Sequence, residues 1–332
     1  MSGSMSPGPC RAVVSRDGLV LQRFLSEQLA PGQVRIAVAA SGVNEPDERM
    51  IQGMTALELS EAQLPGSEVA GEVIEVAPGV SAPQVGDRVM AWVEAGGYAS
   101  EVITVADACV ALPASMDYGT AAGFLVAYGT AYYALVQRAE LRAGEALLVH
   151  RASGALGSAA LDIAQQLGAR AIAVDDSDDK LERTAQMYRV PRTINCRTHH
   201  KWSDKVKELT MAAGADVVYD SVGGDTLDDS VRCTAWDGRI ILIGFASDTA
   251  IEQVTAKRLL ARNAALLGAR WDTWAARDPA QNRRHFATLL GWYEAGKLQP
   301  HISHTAPIAR AREVLEAISQ GQLVGKCVLT LR

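Results

Sequence analysis

The chain has 332 residues, 48% hydrophobic and 21% charged, with a formal net charge of -6 at pH 7. That length and composition suit about two globular domains. The acidic balance with no basic cluster argues against a nucleic-acid partner, and no apolar run reaches the roughly 18 residues of a membrane span.

Residues 1–9 are small and polar, without the charged-then-apolar order of a secretion signal. The cysteines, Cys10, Cys109, Cys196, Cys233 and Cys327, are scattered. Neither a disulfide framework nor a zinc ribbon is expected from them, and a reduced, cytoplasmic setting is.

The first third reads as short strands. Residues 34–38 alternate toward an apolar stripe, and 69–76 run into the turn Pro78-Gly79. Val85-Gly86-Asp87-Arg88-Val89 is a turn followed by a strand, and 98–105 follow the break at Gly96-Gly97. Such spacing predicts a small antiparallel barrel. Residues 117–138 are Ala-rich and helix-compatible. Beyond them, strands at 146–150, 171–174, 217–219 and 240–243 alternate with helices at 158–167 and 180–188. Alternation of this kind predicts a parallel sheet with crossover helices. Residues 284–294 and 311–320 read as further helices, and 326–331 as a last strand.

Between the buried strand at 146–150 and the helix that follows lies Ala152-Ser153-Gly154-Ala155-Leu156-Gly157. In that context the turn reads as the phosphate-binding loop of a dinucleotide fold. Small residues let backbone approach the pyrophosphate, and the helix N-terminus offers free N–H groups. Ser153, Gly154, Ala155, Leu156 and Gly157 are therefore candidate cofactor contacts. Asp175 lies 21 residues after Gly154, at the end of the next strand, where an acid binds a ribose hydroxyl. It favours NAD(H). Lys180 points the other way, as a point charge for a 2′-phosphate. The two readings stay open.

Several segments together resemble one family. Gly42-Val43-Asn44-Glu45-Pro46-Asp47, Pro65-Gly66-Ser67-Glu68-Val69-Ala70-Gly71 and Val85-Gly86-Asp87-Arg88-Val89 look like the catalytic domain of medium-chain dehydrogenase/reductases. Tyr128-Gly129-Thr130-Ala131, the Ala152 turn, Asp220-Ser221-Val222-Gly223-Gly224 and Asp237-Gly238-Arg239 resemble its cofactor domain. The chain is most similar to the zinc-free quinone oxidoreductase and enoyl reductase branch. Asn44 and Ser67 stand where the zinc alcohol dehydrogenases carry Cys and His, and a catalytic zinc needs three protein ligands of suitable type. His199 and His200 read as exposed loop residues, so no zinc is expected.

The resemblance implies a Rossmann doubly wound parallel-sheet domain at 117–264 and a GroES-like, mainly antiparallel β-barrel domain at 10–116 and 265–332. It implies a homodimer, NADP(H) as the favoured dinucleotide, and a small-molecule substrate. The activity would be NAD(P)H-dependent reduction of quinones or activated C=C bonds without metal. A dinucleotide-binding protein of zeta-crystallin type with little catalysis, and a zinc-free alcohol dehydrogenase, are the alternatives. Asn44 and Thr130 should lie beside the nicotinamide. Gly223, Gly244, Phe245, Asn263 and Lys326 should lie near the cofactor. Tyr98 and Tyr128 are candidate proton donors. Arg49 departs from the family's Tyr; with Glu45 and Glu48 it either grips an acidic substrate tail or forms an exposed salt-bridged turn. Trp271 and Trp274 are candidates to wall the substrate pocket.

Overall fold

The computed structural model describes residues 9–15, 18–47, 64–244, 256–321 and 323–331. They fall into two compact units: 1–126, 275–286 and 300–332 form the first, and 127–274 with 287–299 the second.

The first unit opens with a hairpin of β1 (Cys10–Ser15) and β2 (Gly18–Arg23). The strands β3 (Gln33–Val43), β4 (Glu68–Val76), β5 (Arg88–Trp92), β6 (Glu101–Val105) and β7 (Cys109–Ala111) then pair antiparallel, with β3 at the centre. Val34, Ile36, Val38, Val69, Val73, Val89 and Ala91 fill the core on one side. Alternation of apolar side chains along each strand turns them to a common face. Helix α1 (Tyr118–Tyr132) follows, and the chain continues as a π-helical turn, Tyr133–Arg138. At the start of α1, Asp117 accepts from the backbone N–H of Thr120 at 2.9 Å and from its hydroxyl at 2.7 Å. This satisfies a donor that the helix cannot satisfy itself. Burial would raise the Asp117 carboxyl, but the Thr120 bonds outweigh it and hold it below the usual range. Asp117→Ala is therefore expected to destabilise the protein by about 1 kcal/mol. The contribution is present above the unfolded carboxylate pKa and fades as pH falls through the lower folded one. Thermal unfolding of wild type and variant at pH 7 and pH 3 reads both effects; an equal gap at the two pH values would contradict the capping role.

The second unit is a doubly wound sheet. Its elements run β8 (Ala146–His150), α2 (Ala155–Gln166), β9 (Arg170–Asp175), α3 (Asp178–Tyr188), β10 (Thr193–Asn195), α4 (Trp202–Leu209), β11 (Ala215–Asp220), α5 (Asp225–Cys233), β12 (Thr234–Leu242), α6 (Ala256–Arg262) and β13 (Ala265–Gly268). Helices α7 (Trp271–Arg277) and α8 (Pro279–Glu294) come next. The six strands pair in parallel in the order β10-β9-β8-β11-β12-β13. All five residues of β8 are buried, as a central parallel strand requires.

The chain then returns to the first sheet. β14 (Ile302–Pro307), α9 (Ala311–Ser319) and β15 (Lys326–Thr330) place β15 beside β3. β14 and β15 pair in parallel, so the mainly antiparallel sheet contains one parallel pair, joined by a crossover helix as parallel pairing demands.

Two expectations need correction. Residues 265–268 were expected in the GroES-like domain, but β13 pairs with β12 in the parallel sheet, and 265–274 and 287–299 belong to the second unit, while 117–126 belong to the first. Four residues carry too little pattern to announce a strand; its partner, not its sequence, assigns it. The strand expected at 240–243 begins at Thr234. Asp237 takes a φ of 60° and the register slips between Ala215 and Val217. Asp237 and Gly238 thus form a bulge inside the strand.

Candidate functional site

In the second unit the loop after β8 carries the signs of a phosphate cradle. Arg151 stands at φ 46°, a conformation that non-glycine residues rarely adopt. Its carbonyl accepts from the N–H of Gly154 at 2.9 Å. A Cβ at Gly157 would run into that carbonyl and lie 2.7 Å from the Ala152 Cα. Helix α2 thus starts against the strand at a distance only glycine permits. Gly154 precedes α2 and gives it no side-chain cap. The first-turn N–H groups of Ala155, Leu156 and Gly157 have no intrahelical acceptor, so they and the helix dipole face outward to an anion.

The loop is braced from β9. Asp175, 7% exposed, accepts through Oδ2 from the Ser153 N–H at 3.0 Å and from the Ser153 hydroxyl. Its Oδ1 accepts from the Asp176 N–H at 2.8 Å. Asp176 lies 3.0 Å from Lys180 Nζ and 3.5 Å from Arg197 Nη2. The parallel order puts the turns after β8, β11 and β12 along one sheet edge. Gly223 follows β11 at φ 65° and donates to Asp220 Oδ1 at 2.9 Å. A Cβ at Gly244, after β12, would make ordinary contact with the Ser221 carbonyl. Ligands bind at the carboxyl edge in such sheets.

The first unit holds a second constellation, at the meeting of β3, β4 and β15. Glu68 is fully buried and Lys326 is 4% exposed, and the two form an ion pair. Lys326 Nζ also donates to Asn44 Oδ1 at 2.6 Å, while Asn44 Nδ2 donates to Glu68 Oε1 at 3.0 Å. Glu68 Oε2 accepts from the Val126 N–H at 2.9 Å. A buried charge pair persists only when its remaining polar valences are met, and here they are. An ammonium is a donor only, so the amide atom facing Lys326 is the oxygen. That fixes the Asn44 rotamer and commits one of its two N–H bonds. The second N–H, on a half-buried side chain, remains for a ligand oxygen.

Asp47, 3% exposed, holds this arrangement in place. It accepts from the Asn44 N–H at 2.8 Å, the Gly66 N–H at 2.8 Å and the Tyr98 hydroxyl at 3.1 Å. Burial is the largest influence on its carboxyl and raises it, against these hydrogen bonds.

Several expected site residues sit otherwise than the sequence suggested. Tyr98 is fully buried with its hydroxyl on Asp47. Burial and the neighbouring Asp47 drive its pKa well above the ordinary tyrosine value, and its hydroxyl braces Asp47 beneath the Asn44 loop. Tyr128, 3% exposed, donates to Asp162 at 2.7 Å; burial and Asp162 push its pKa well above the ordinary tyrosine value likewise. Trp271 is 4% exposed and Trp274 stacks on Tyr133 with ring centroids 4.5 Å apart. Tyr133 and Trp274 both belong to the second unit. Asn263 ends α6 at φ 51°, its amide on Asp237, a helix-terminating role that asparagine tolerates well. Thr130 lies in α1, 8% exposed. Arg49, Glu48 and Phe245 lie outside the described residues. His199 and His200 are exposed on the turn after β10. Among the described residues no group of three or more His, Cys, Asp or Glu is placed to hold a metal ion, and no helix is long and apolar enough to cross a membrane.

Sequence reading passed over Asp47, Glu68, Asp176 and Arg197. A signal existed for Glu68: a carboxylate followed directly by the apolar run Val69-Ala70-Gly71 is costly to bury unless paired. Nothing in the sequence identified Lys326 as its partner.

Residues 30–140 match the family described as alcohol dehydrogenase GroES-like domain, and 155–287 the one described as zinc-binding dehydrogenase. A quinone oxidoreductase-like protein 2 homolog from Nematostella vectensis is 34% identical, over 95% of this chain and 86% of its own length. A mycobacterial protein solved in complex with NADPH superposes with a TM-score of 0.88 at 26% identity, covering 98% of this chain and all of that one. The CurK enoyl reductase gives 0.86 at 26% identity, covering 98% and 99%. With its GroES-like and Rossmann units and these relatives, the chain belongs to the medium-chain dehydrogenase/reductase family, in the branch of quinone oxidoreductases and enoyl reductases.

Proposed function

We propose that the protein is an NAD(P)H-dependent oxidoreductase that reduces a quinone or an activated C=C bond, such as an α,β-unsaturated carbonyl or an enoyl thioester. The observation that carries this reading is the cradle at Arg151–Gly157, whose outward N–H groups and glycine-tight backbone fit a pyrophosphate. The NADPH complex and the enoyl reductase among similar structures, and the quinone oxidoreductase-like relative, support it.

When bound, the reduced nicotinamide supplies the hydride. The protein's part is to bind, orient and stabilise charge. The free N–H of Asn44 donates to the acceptor oxygen on which negative charge develops, and Lys326 behind the amide oxygen strengthens that donor. Such preorganised donors act where charge appears in the transition state. With the hydroxyls of Tyr98 and Tyr128 committed to carboxylates, the proton comes from water.

The residues do not fit a catalytic zinc. Asn44 offers its amide oxygen to an ammonium, Ser67 replaces a ligand of suitable type, and a divalent cation beside Lys326 would be repelled. The reaction therefore proceeds without metal.

Asn44→Ala is expected to lower kcat by about 100-fold, the scale for losing one such donor, while dinucleotide affinity changes little. Steady-state turnover of a panel of quinones and enones, with dinucleotide titration alongside, reads both. An unchanged kcat would sink the role of Asn44. Absence of turnover across the panel would sink the reductase reading.

A homodimer in the cytoplasm completes the reading. β12 is flanked on both sides, by β11 and β13. Among the described residues β10 and β13 are the two end strands of the sheet, and an open edge such as that of β13 is a template for a second strand. A gel-filtration mass near the monomer would contradict the dimer.

A further inference from the structure

Helix α2 carries a carboxylate that takes no part in the cradle at its start. Asp162 lies in the run Ala159-Ala160-Leu161-Asp162-Ile163-Ala164, all of it buried, and is itself 2% exposed. A carboxylate in such a setting is costly unless it is hydrogen-bonded. Asp162 Oδ2 accepts from the Tyr128 hydroxyl and from the Gln299 N–H, each at 2.7 Å. Burial raises the carboxyl, and these two bonds work against it. Asparagine has the same shape and could accept both bonds without a charge. What the aspartate adds is strength, because charge-assisted hydrogen bonds are about twice as strong as neutral ones.

The partners of Asp162 show what is tied to α2. Tyr128 stands in α1, whose residues up to Val126 count with the first unit and from Ala127 on with the second. Two residues before Tyr128, the Val126 N–H donates to Glu68 Oε2 at 2.9 Å. In a helix that step is about 3 Å along the axis. One turn of α1 thus carries a bond to the Asn44–Glu68–Lys326 triad and a bond to the helix whose first turn forms the phosphate cradle. Gln299 is the last residue of the second unit before the chain returns to β14. Gln166 Nε2 holds the same segment, donating to the Lys297 carbonyl at 2.8 Å. Tyr188, at the end of α3, donates to the Gln299 carbonyl at 3.4 Å, a bond to the same cluster that does not involve α1.

We propose that Asp162 is a positioning residue for the reduction: it ties α1 to the cradle helix and so holds the Val126 N–H on Glu68, which keeps the Asn44 amide oriented to its acceptor. It acts through Tyr128 and Glu68; being buried, it meets neither dinucleotide nor substrate. The inference rests on the reductase reading above and deepens it. Without the tie α1 shifts at Val126, Glu68 Oε2 loses its donor, and the Asn44 amide loses its fixed direction. The cradle keeps its close approach at Gly157 and its brace at Ser153, so dinucleotide affinity should change little.

Two measurements on the full chain test this. Tyr128→Phe removes the hydroxyl and keeps the ring. It should lower kcat about tenfold, the scale of one lost bond to a charged group, with dinucleotide affinity nearly unchanged. Tyr188→Phe removes a hydroxyl from the same cluster and should leave kcat as in wild type. Asp162→Asn keeps an acceptor for both bonds and should keep most of the turnover, whereas Asp162→Leu keeps none and should match Tyr128→Phe. Amide exchange over residues 120–132, followed by mass spectrometry, needs no substrate. Bound NADPH or NADH should slow it in wild type and in Tyr188→Phe, and not in Tyr128→Phe. Equal losses of kcat in Tyr128→Phe and Tyr188→Phe would reduce the cluster to a structural one and overturn the inference. So would equal protection of α1 in wild type and Tyr128→Phe, or a turnover that rises in Asp162→Leu, the mark of a released Tyr128 hydroxyl acting as proton donor. An inactive wild type with the expected exchange pattern would overturn the reductase reading, while the tie between α1 and the cradle helix would stand.

Discussion

Lys326→Met is expected to destabilise the protein by about 3–5 kcal/mol, the range for removing one partner of a buried ion pair. Glu68 is fully buried and would lose its only ion-pair partner among the described residues. The Asn44 N–H and the Val126 N–H would still reach it, but two neutral donors do not replace an ammonium in a buried setting. The loss reaches function as well, because without a cation behind its oxygen the Asn44 amide no longer has a fixed orientation. The denaturation midpoint and the turnover number should therefore fall together. Glu68→Gln should cost a similar amount from the other side. The double variant Glu68→Gln/Lys326→Met removes both charges and should be more stable than either single one. If the two single losses simply add, the residues are not coupled, and the triad is not the unit described here.

Gly157→Val is expected to weaken dinucleotide binding by about 100-fold or more. The Cβ alone would strike the Arg151 carbonyl and the Ala152 backbone, which cannot swing aside as the end of a side chain can. The cradle has to open or the start of α2 has to move, at a cost of about 1–3 kcal/mol in strain. Either shift misplaces the N–H groups of Ala155, Leu156 and Gly157. Gly154→Ala is the control: its Cβ would lie 3.3 Å from the Arg151 carbonyl, a contact relieved by a few tenths of an ångström. Gly154→Ala should therefore be much milder in both affinity and stability. Equal effects of the two variants would show that the close approach at Gly157 does not shape the cradle.

The sequence by itself determined the two kinds of architecture and the cradle. Period-2 alternation in the first third, and buried strands alternating with helices after residue 146, are local signals that burial imposes on nearby residues. The Ala152–Gly157 turn is legible for the same reason: its strand, glycines and helix are contiguous. Three things were decided only by tertiary structure. β13 joins the parallel sheet because β12 offers it an edge. Asn44, Glu68 and Lys326 meet because β3, β4 and β15 are neighbours, although Asn44 and Lys326 are 282 residues apart in the chain. Asp175 and Asp176 look equivalent in the sequence, yet Asp175 is buried against Ser153 with Lys180 at 4.0 Å, whereas Asp176, its side chain 45% accessible, lies beside Lys180 and Arg197. A charge's role depends on which partners the fold brings within hydrogen-bond reach, and for residues far apart in the chain only the packed structure sets that distance.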